Sequence, residues 1–290
     1  MTGSSREHLL EGERAGMRYA LAVPREALRG ASGYWSGRLS GSSVDFKDYR
    51  EYQPGDDLRA IDWSVYGRTD RLIVKLFREE VNPHLDIVID CSASMALEGT
   101  EKCRATVMLG AALAMASMNA RCSHHAWMIA DAVRSVQGGT GRPALWAGLE
   151  FDHTVTPAEA FNRLPGSWRP QGIRVLVSDL LWPGDPIHTL RSLASGAAAL
   201  FVIQVLARED ATPSVAGNAQ IVDVETHAAV EVFMDALAAQ SYAAALARHQ
   251  TNWERACRQA GARMTTVIAE EVVATGRFDA LERMSLLEPA

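Results

Sequence analysis

The chain has 290 residues, 48% of them hydrophobic and 22% charged, with 35 acidic against 29 basic side chains and a formal net charge of -6. That is globular composition with enough apolar material for a sizeable core, either one large domain or a domain with an extension. The acidic balance and the lack of a basic stripe argue against nucleic acid as a partner, and the longest apolar stretches, 107–120 and 194–207, fall short of the roughly 20 residues of a membrane span.

The first thirty residues suggest a weak helix, with Leu9 and Leu10 among Glu7, Glu11, Glu13 and Arg14. They are charged and contain no apolar signal-peptide core, so the expected location is the cytoplasm. A glycine- and serine-rich stretch over 30–43 breaks regular structure. Over 44–80 aromatic residues are interleaved with charges, and 72–77 alternates as a strand does. Within it, Pro54-Gly55-Asp56 is a turn, and Asp56 or Asp57 can cap the short helix that follows. Arg59 and Asp62 stand three apart and can pair, and Trp63 offers an apolar face for docking.

From residue 85 onward, strands and helices alternate. Residues 85–89 form a short apolar run ending in Asp90, followed by an Ala/Met/Leu-rich helix over 102–119. Two short strands, 125–130 and 133–137, precede a helix over 156–164, with Pro157 suited to its first turn. A strand at 173–177 ends at Ser178-Asp179, a helix over 186–195 stops at Gly196, and 199–206 is a nearly unbroken apolar strand. Short strands at 219–224 and 230–233 flank a turn at Glu225-Thr226-His227. A long helix over 235–259 and a strand at 264–269 follow. Apolar strands alternating with helices imply an α/β fold, doubly wound, with a mostly parallel sheet covered on both faces. The expected division is an N-terminal extension over 1–82 and an α/β domain over 83–290, with a small hairpin insertion near 219–234. The four cysteines form no C-x-x-C pair and are expected as free thiols. His124 and His125 are adjacent at a strand start, so their rings point to opposite faces and cannot share a metal. The other histidines match no ligand spacing.

Ligands of open α/β sheets bind beyond the carboxyl ends of the strands, where the chain order reverses. There the sequence offers Asp90-Cys91-Ser92-Ala93-Ser94 after the first core strand and Asp179 after a later one. Gly138-Gly139-Thr140-Gly141 forms a flexible loop with one hydroxyl. A carboxylate with several hydroxyls suits a hard cation such as Mg²⁺, which takes about six oxygens; Mn²⁺ or Ca²⁺ would also be accommodated. A shell of this kind leaves the metal electrophilic, so that an acidic side chain of a partner could complete it.

The D-x-S-x-S run, the later threonine and the later aspartate resemble the metal-ion-dependent adhesion site of von Willebrand factor A domains. The resemblance implies a site of Asp90, Ser92, Ser94, Thr140 and Asp179. A second resemblance rests on Tyr52-Gln53-Pro54-Gly55-Asp56-Asp57-Leu58-Arg59-Ala60-Ile61-Asp62-Trp63. This segment is similar to the signature of the bacterial DUF58 family, which carries it upstream of a von Willebrand A-like domain. That likeness covers roughly residues 30–270 and implies a MoxR-type AAA+ ATPase as a partner, alone or with its client protein. The membrane anchor of many members is not expected here. The implied function is a non-enzymatic interaction module. The alternatives are a Mg²⁺-dependent hydrolase of the phosphatase kind, or a scaffold with a vestigial metal site. The phosphatase chemistry wants D-x-D after the first strand, whereas Ser92 stands at the acid/base position. No G-x-x-x-x-G-K-[ST], G-x-S-x-G or H-E-x-x-H occurs.

Overall fold

The computed structural model describes residues 3–22, 44–79, 83–163, 167–213, 217–225 and 227–290. The chain divides into two compact units, residues 24–82 and the remainder, 1–23 with 83–290. The division differs from the one expected at residue 82, because the N-terminal segment belongs to the α/β unit. Its helix α1 (Gly3–Gly16) packs along α3 (Lys102–Asn119), and β1 (Tyr19–Leu21) pairs antiparallel with the C-terminal strand Leu287–Pro289. Two glycines let the helices approach. A Cβ on Gly12 would lie 2.7 Å from Met108 Cα, and one on Gly16 would lie 2.7 Å from Ala112 Cα. Glu11 grips Arg104 through two hydrogen bonds of 2.7 and 2.9 Å, and Glu13 binds Arg142.

In the smaller unit β2 (Val44–Glu51) and β3 (Ile73–Glu79) form an antiparallel ribbon, and only the second of these was expected. Asp57 caps the 3₁₀ turn of Leu58–Ala60 by accepting from Arg59 N. Asp62 serves the helix that follows. It caps α2 (Trp63–Thr69), with Oδ1 accepting from Ser64 N and Val65 N, and Oδ2 accepting from Tyr49 Oη. Arg50 pairs with Asp56 at 2.8 Å. Trp63 is 60% exposed and edge-on to Tyr66.

The larger unit is built on β4 (His84–Asp90), β5 (Ser123–Ile129), β6 (Val133–Ser135), β7 (Ile173–Ser178), β8 (Ala199–Leu206) and β11 (Ala262–Ile268). Their order in the sheet is β11-β8-β7-β4-β5-β6, parallel throughout except for β6. Every residue of β4 and β7 is buried, as expected of strands with helices on both faces. Ile87 and Ile89 are fully buried, and Ile89 lies against Gly110 of α3. On the other side Val88, Leu176 and Val202 join a core with Phe161, Leu190 and Trp253. Those three come from α4 (Pro157–Arg163), α5 (Pro186–Ala194) and α7 (Ala236–Gln259). The mixed α/β class and the mostly parallel sheet match the expectation from the sequence.

A separate antiparallel hairpin, β9 (Gly217–Val222) with β10 (Ala229–Met234), lies outside the main sheet. Its Ile221, Val230 and Phe233 are 51 to 62% exposed. The four cysteines are unpaired. His124 binds Ser117 Oγ and Gly141 O, whereas His125 binds Ser135 Oγ and stacks on Trp127, so the two rings do separate. Among the described residues no helix is long and apolar enough to cross a membrane.

Candidate functional site at the sheet's switch point

The chain leaves β4 through α3 to reach β5 on one side, then returns through α4 to β7 on the other side. The carboxyl ends of β4 and β7 therefore flank the point where strand order reverses, where a crevice opens. Asp90 closes β4 and is 1% exposed, Asp179 follows β7 at 2%, and Ser92 is 3% exposed. Three of the expected residues, Ser92, Ser94 and Asp179, line one cleft of about 430 Å³, with Asp90 beneath it.

Local structure holds each group. Asp90 Oδ1 accepts from Ser92 N at 2.9 Å, and Oδ2 accepts from the Ser178 hydroxyl at 2.6 Å. Ser92 Oγ and Ser94 Oγ are 3.1 Å apart. Asp179 Oδ1 accepts from Leu181 N, its peptide N–H meets Met95 Sδ, and its carbonyl accepts from Gln204 Nε2. The buried Leu180 between these bonds has φ +61°, a conformation costly for a side chain of this kind. The Ser178 hydroxyl accepts from Leu180 N at 3.0 Å, and the Leu180 carbonyl accepts from His249 at 2.6 Å, which together hold the turn.

Residues not singled out in the sequence complete the cleft. Lys102, the first residue of α3, is wholly buried, and its Nζ lies 2.8 Å from Asp179 Oδ2 and 3.2 Å from Asp210 Oδ2. A lysine opening an apolar helix resembles a solvated charge, and only the acid 77 positions further on reveals its role. Glu225, at the hairpin turn, is half-buried and lines the cleft together with Ser94. Asp223 Oδ1 accepts from Glu225 N at 2.8 Å, which sets the backbone of that turn.

Thr140 is not brought to this cleft. Because β6 runs antiparallel to β5, the loop after it lies back toward the amino end of β5. Ala126 N donates to Gly139 O there, and Gly141 O accepts from His124 and Trp146. Thr140 itself is exposed. The segment that does run beside the serines is 153–157. Ser92 bridges to His153, Ala93 N donates to His153 O, and Pro157 lines the cleft. Thr154 and Thr156 belong to that segment, and Thr156 Oγ1 accepts from Glu159 N.

The electrostatics are lopsided. Burial, then the neighbouring Asp179 charge, pushes the Asp90 carboxyl up to about 6, against opposing hydrogen bonds from Ser178 and Ser92. Burial also raises Glu225, helped by the charges of Asp179 and Asp223. Burial pulls the Lys102 ammonium down, but Asp179 and Asp210 outweigh it and hold the group above its ordinary value. Asp179 and Asp210 thus hold the ammonium of Lys102, while Asp90 lies beside Asp179 and Glu225 lines the same cleft. Among the described residues no three His, Cys, Asp or Glu side chains gather as a metal cluster. The arrangement is of another kind, hydroxyl oxygens over buried carboxyls, and its surplus negative charge and oxygen-only donors fit a hard divalent cation.

A mostly parallel α/β sheet with hydroxyl and carboxyl groups at its switch point defines the fold class of the larger unit. The model of the family described as "Protein of unknown function DUF58" matches residues 48–252, and the chain belongs to that family. Uncharacterized protein Rv1480 of Mycobacterium tuberculosis and Mb1516 of Mycobacterium bovis are each 29% identical to it over 243 residues, 78% of this chain and 75% of theirs. Among solved structures, BatB from Bacteroides thetaiotaomicron matches 70% of this chain and 98% of its own at 13% identity and a TM-score of 0.35. An aerotolerance-related membrane protein from Bacteroides fragilis matches 69% and 99% at 12% identity and 0.39. Scores this low carry no argument about function.

Proposed function

We propose that the chain is a non-enzymatic interaction module of the von Willebrand factor A type, working in the cytoplasm. It holds a divalent cation, Mg²⁺ or a similar hard ion, at the cleft over Asp90 and presents it to an acidic side chain of a protein partner. The observation that carries this reading is the pair of serine hydroxyls 3.1 Å apart beside buried Asp90 and Asp179, in a cleft where carboxyls outnumber the ammonium. Ser92 and Ser94 would hold the ion directly. Asp90 and Asp179 would act from beneath, since their oxygens are already engaged by Ser92 N, Ser178, Leu181 N and Lys102. The remaining hydroxyl falls to Thr154 or Thr156 and not to Thr140. The ion supplies Lewis acidity toward a carboxylate oxygen, and the chain supplies its placement. Family membership supports a MoxR-type AAA+ ATPase, with or without its client, as the partner.

The test is calorimetric titration of metal-free protein with Mg²⁺ and Mn²⁺. One saturable site, lost in Asp90→Ala, is the expected result; no saturable binding of either ion overturns the metal reading. A pull-down from the native host is expected to recover an AAA+ ATPase with the wild type. Equal recovery with Ser92→Ala and Ser94→Ala would exclude a contact through the metal.

One observation favours a second reading. The Lys102 ammonium already sits against Asp179, so the positive charge of a lost cation could be built into the chain. The site would then be vestigial and the module a scaffold, and the same titration separates the two. The hydrolase alternative gains Lys102 as a cationic group but still has Ser92 where the acid/base residue belongs.

A further inference from the structure

The hairpin turn of β9 and β10 puts one carboxylate of this chain where the proposed partner's carboxylate would have to arrive. Glu225 lines the same cleft as Ser92, Ser94, Lys102 and Asp179. The aliphatic residues beside the turn belong to the same surface: Ile221, Val222, Val224 and Val230 line the cleft across from Leu181 and Trp182. Ile221 and Val230 are direct cross-strand partners, so their side chains leave the ribbon on one face. The hairpin is a two-stranded sheet of its own, and such ribbons are marginally stable without support. Ile221, Val222, Val230 and Phe233 are 49 to 62% exposed, and only Val232 and Met234 of its second strand are better covered, so modest buried area ties it down.

From this juxtaposition we infer that Glu225 is a built-in ligand, and that the site takes acidic segments whose carboxylate is flanked by branched aliphatic residues. The β9–β10 hairpin is a latch that such a segment displaces. The inference rests on the metal-dependent reading of the site and names both the chemistry of its ligand and the element that controls access. The specificity follows from the cleft: a serine and carboxyl floor that meets an acid through a cation, and an apolar wall that meets aliphatic side chains. A tethered carboxylate competes at an effective concentration on the order of millimolar, so an external segment binds weakly until the latch is disabled.

The experiment uses the full chain and a fluorescent peptide of residues 221–228, Ile-Val-Asp-Val-Glu-Thr-His-Ala, with fluorescence polarisation as the readout. The peptide is expected to bind Glu225→Gln at least about tenfold more tightly than wild type in the presence of Mn²⁺. The gain is expected to vanish with chelator, in the Glu225→Gln/Asp90→Ala double variant, and for a peptide carrying Gln at its own Glu position. Mn²⁺ binding is titrated on the same samples. Intact Mn²⁺ binding with equal peptide affinity in wild type and Glu225→Gln overturns the latch and leaves the metal reading standing. Absence of Mn²⁺ binding in both proteins overturns the metal reading and the latch with it. Tighter peptide binding that persists in chelator also overturns the inference, because the carboxylate would then be recognised without the ion.

Discussion

The Nζ of Lys102 lies 2.8 Å from Oδ2 of Asp179, and neither side chain is more than 2% exposed. A buried pair of this kind adds little net stability, but losing one partner leaves a charge stranded away from water. Lys102→Met is therefore expected to destabilise the fold by about 3–5 kcal/mol in metal-free buffer, since Asp179 and Asp210 both lose their counter-charge. Urea unfolding with and without Mn²⁺ checks this, and part of the loss should return with the ion.

The Ser178 hydroxyl serves two neighbours, donating to Asp90 Oδ2 and accepting from Leu180 N. Ser178→Ala leaves a buried carboxyl oxygen and a strained peptide N–H each short of a partner. The expected cost is about 1–3 kcal/mol, read as a lower melting temperature. Metal affinity should fall as well, because Asp90 loses the bond that orients it.

Thr140→Ala is expected to leave Mn²⁺ affinity unchanged, its loop lying at the other end of β5. Thr154→Ala and Thr156→Ala, made singly, test the segment beside Ser92. At least one of the two should weaken binding in calorimetry.

Gly12→Val drives a side chain into the backbone of α3 at Met108, where a Cβ alone would stand 2.7 Å from Cα. Neither helix can yield there without breaking the Glu11–Arg104 and Glu13–Arg142 bonds. A loss of about 3 kcal/mol is expected, with amide exchange rising first in α1.

Acid should weaken the sheet's amino end through His124. Burial lowers its pKa, and the charges of His84 and His125 lower it further against the Gly141 hydrogen bond. A lowered folded-state value means the stabilising contribution is present above about pH 6.5 and is lost as pH falls through the folded value. Between about pH 7.5 and about pH 5.5 the wild type should lose more melting temperature than His124→Asn. Equal losses would assign the acid sensitivity elsewhere.

Much of the larger unit was legible because its strands obey simple rules. The apolar run ending in Asp90, the one ending in Ser178-Asp179, and the capping Asp235 of α7 all stand where periodicity put them. What escaped depends on pairing across long separations. The strand at 287–289 is three residues long and gains its order from β1, far away in the chain. The glycine loop at Thr140 resembled a strand-end ligand loop, but the antiparallel β6 turned it to the wrong end of the sheet. Lys102 and Glu225 carried no local mark at all. Each acquires meaning only from what tertiary structure brings to it, Asp179 for the lysine and the serine-lined cleft for the glutamate.

The carboxyl surplus around Lys102 also imposes a sequence of events. A pocket of that sign repels anions and concentrates cations, so an acidic segment arriving alone is turned away by the field before any contact forms. On the metal-dependent reading proposed above, a seated dication would cancel most of that surplus and offer the acid an open coordination position, so the same segment would be drawn in. On that reading the cleft would behave as a two-input gate, answering only when ion and acid are present together, with its threshold for the partner set by the free concentration of the ion.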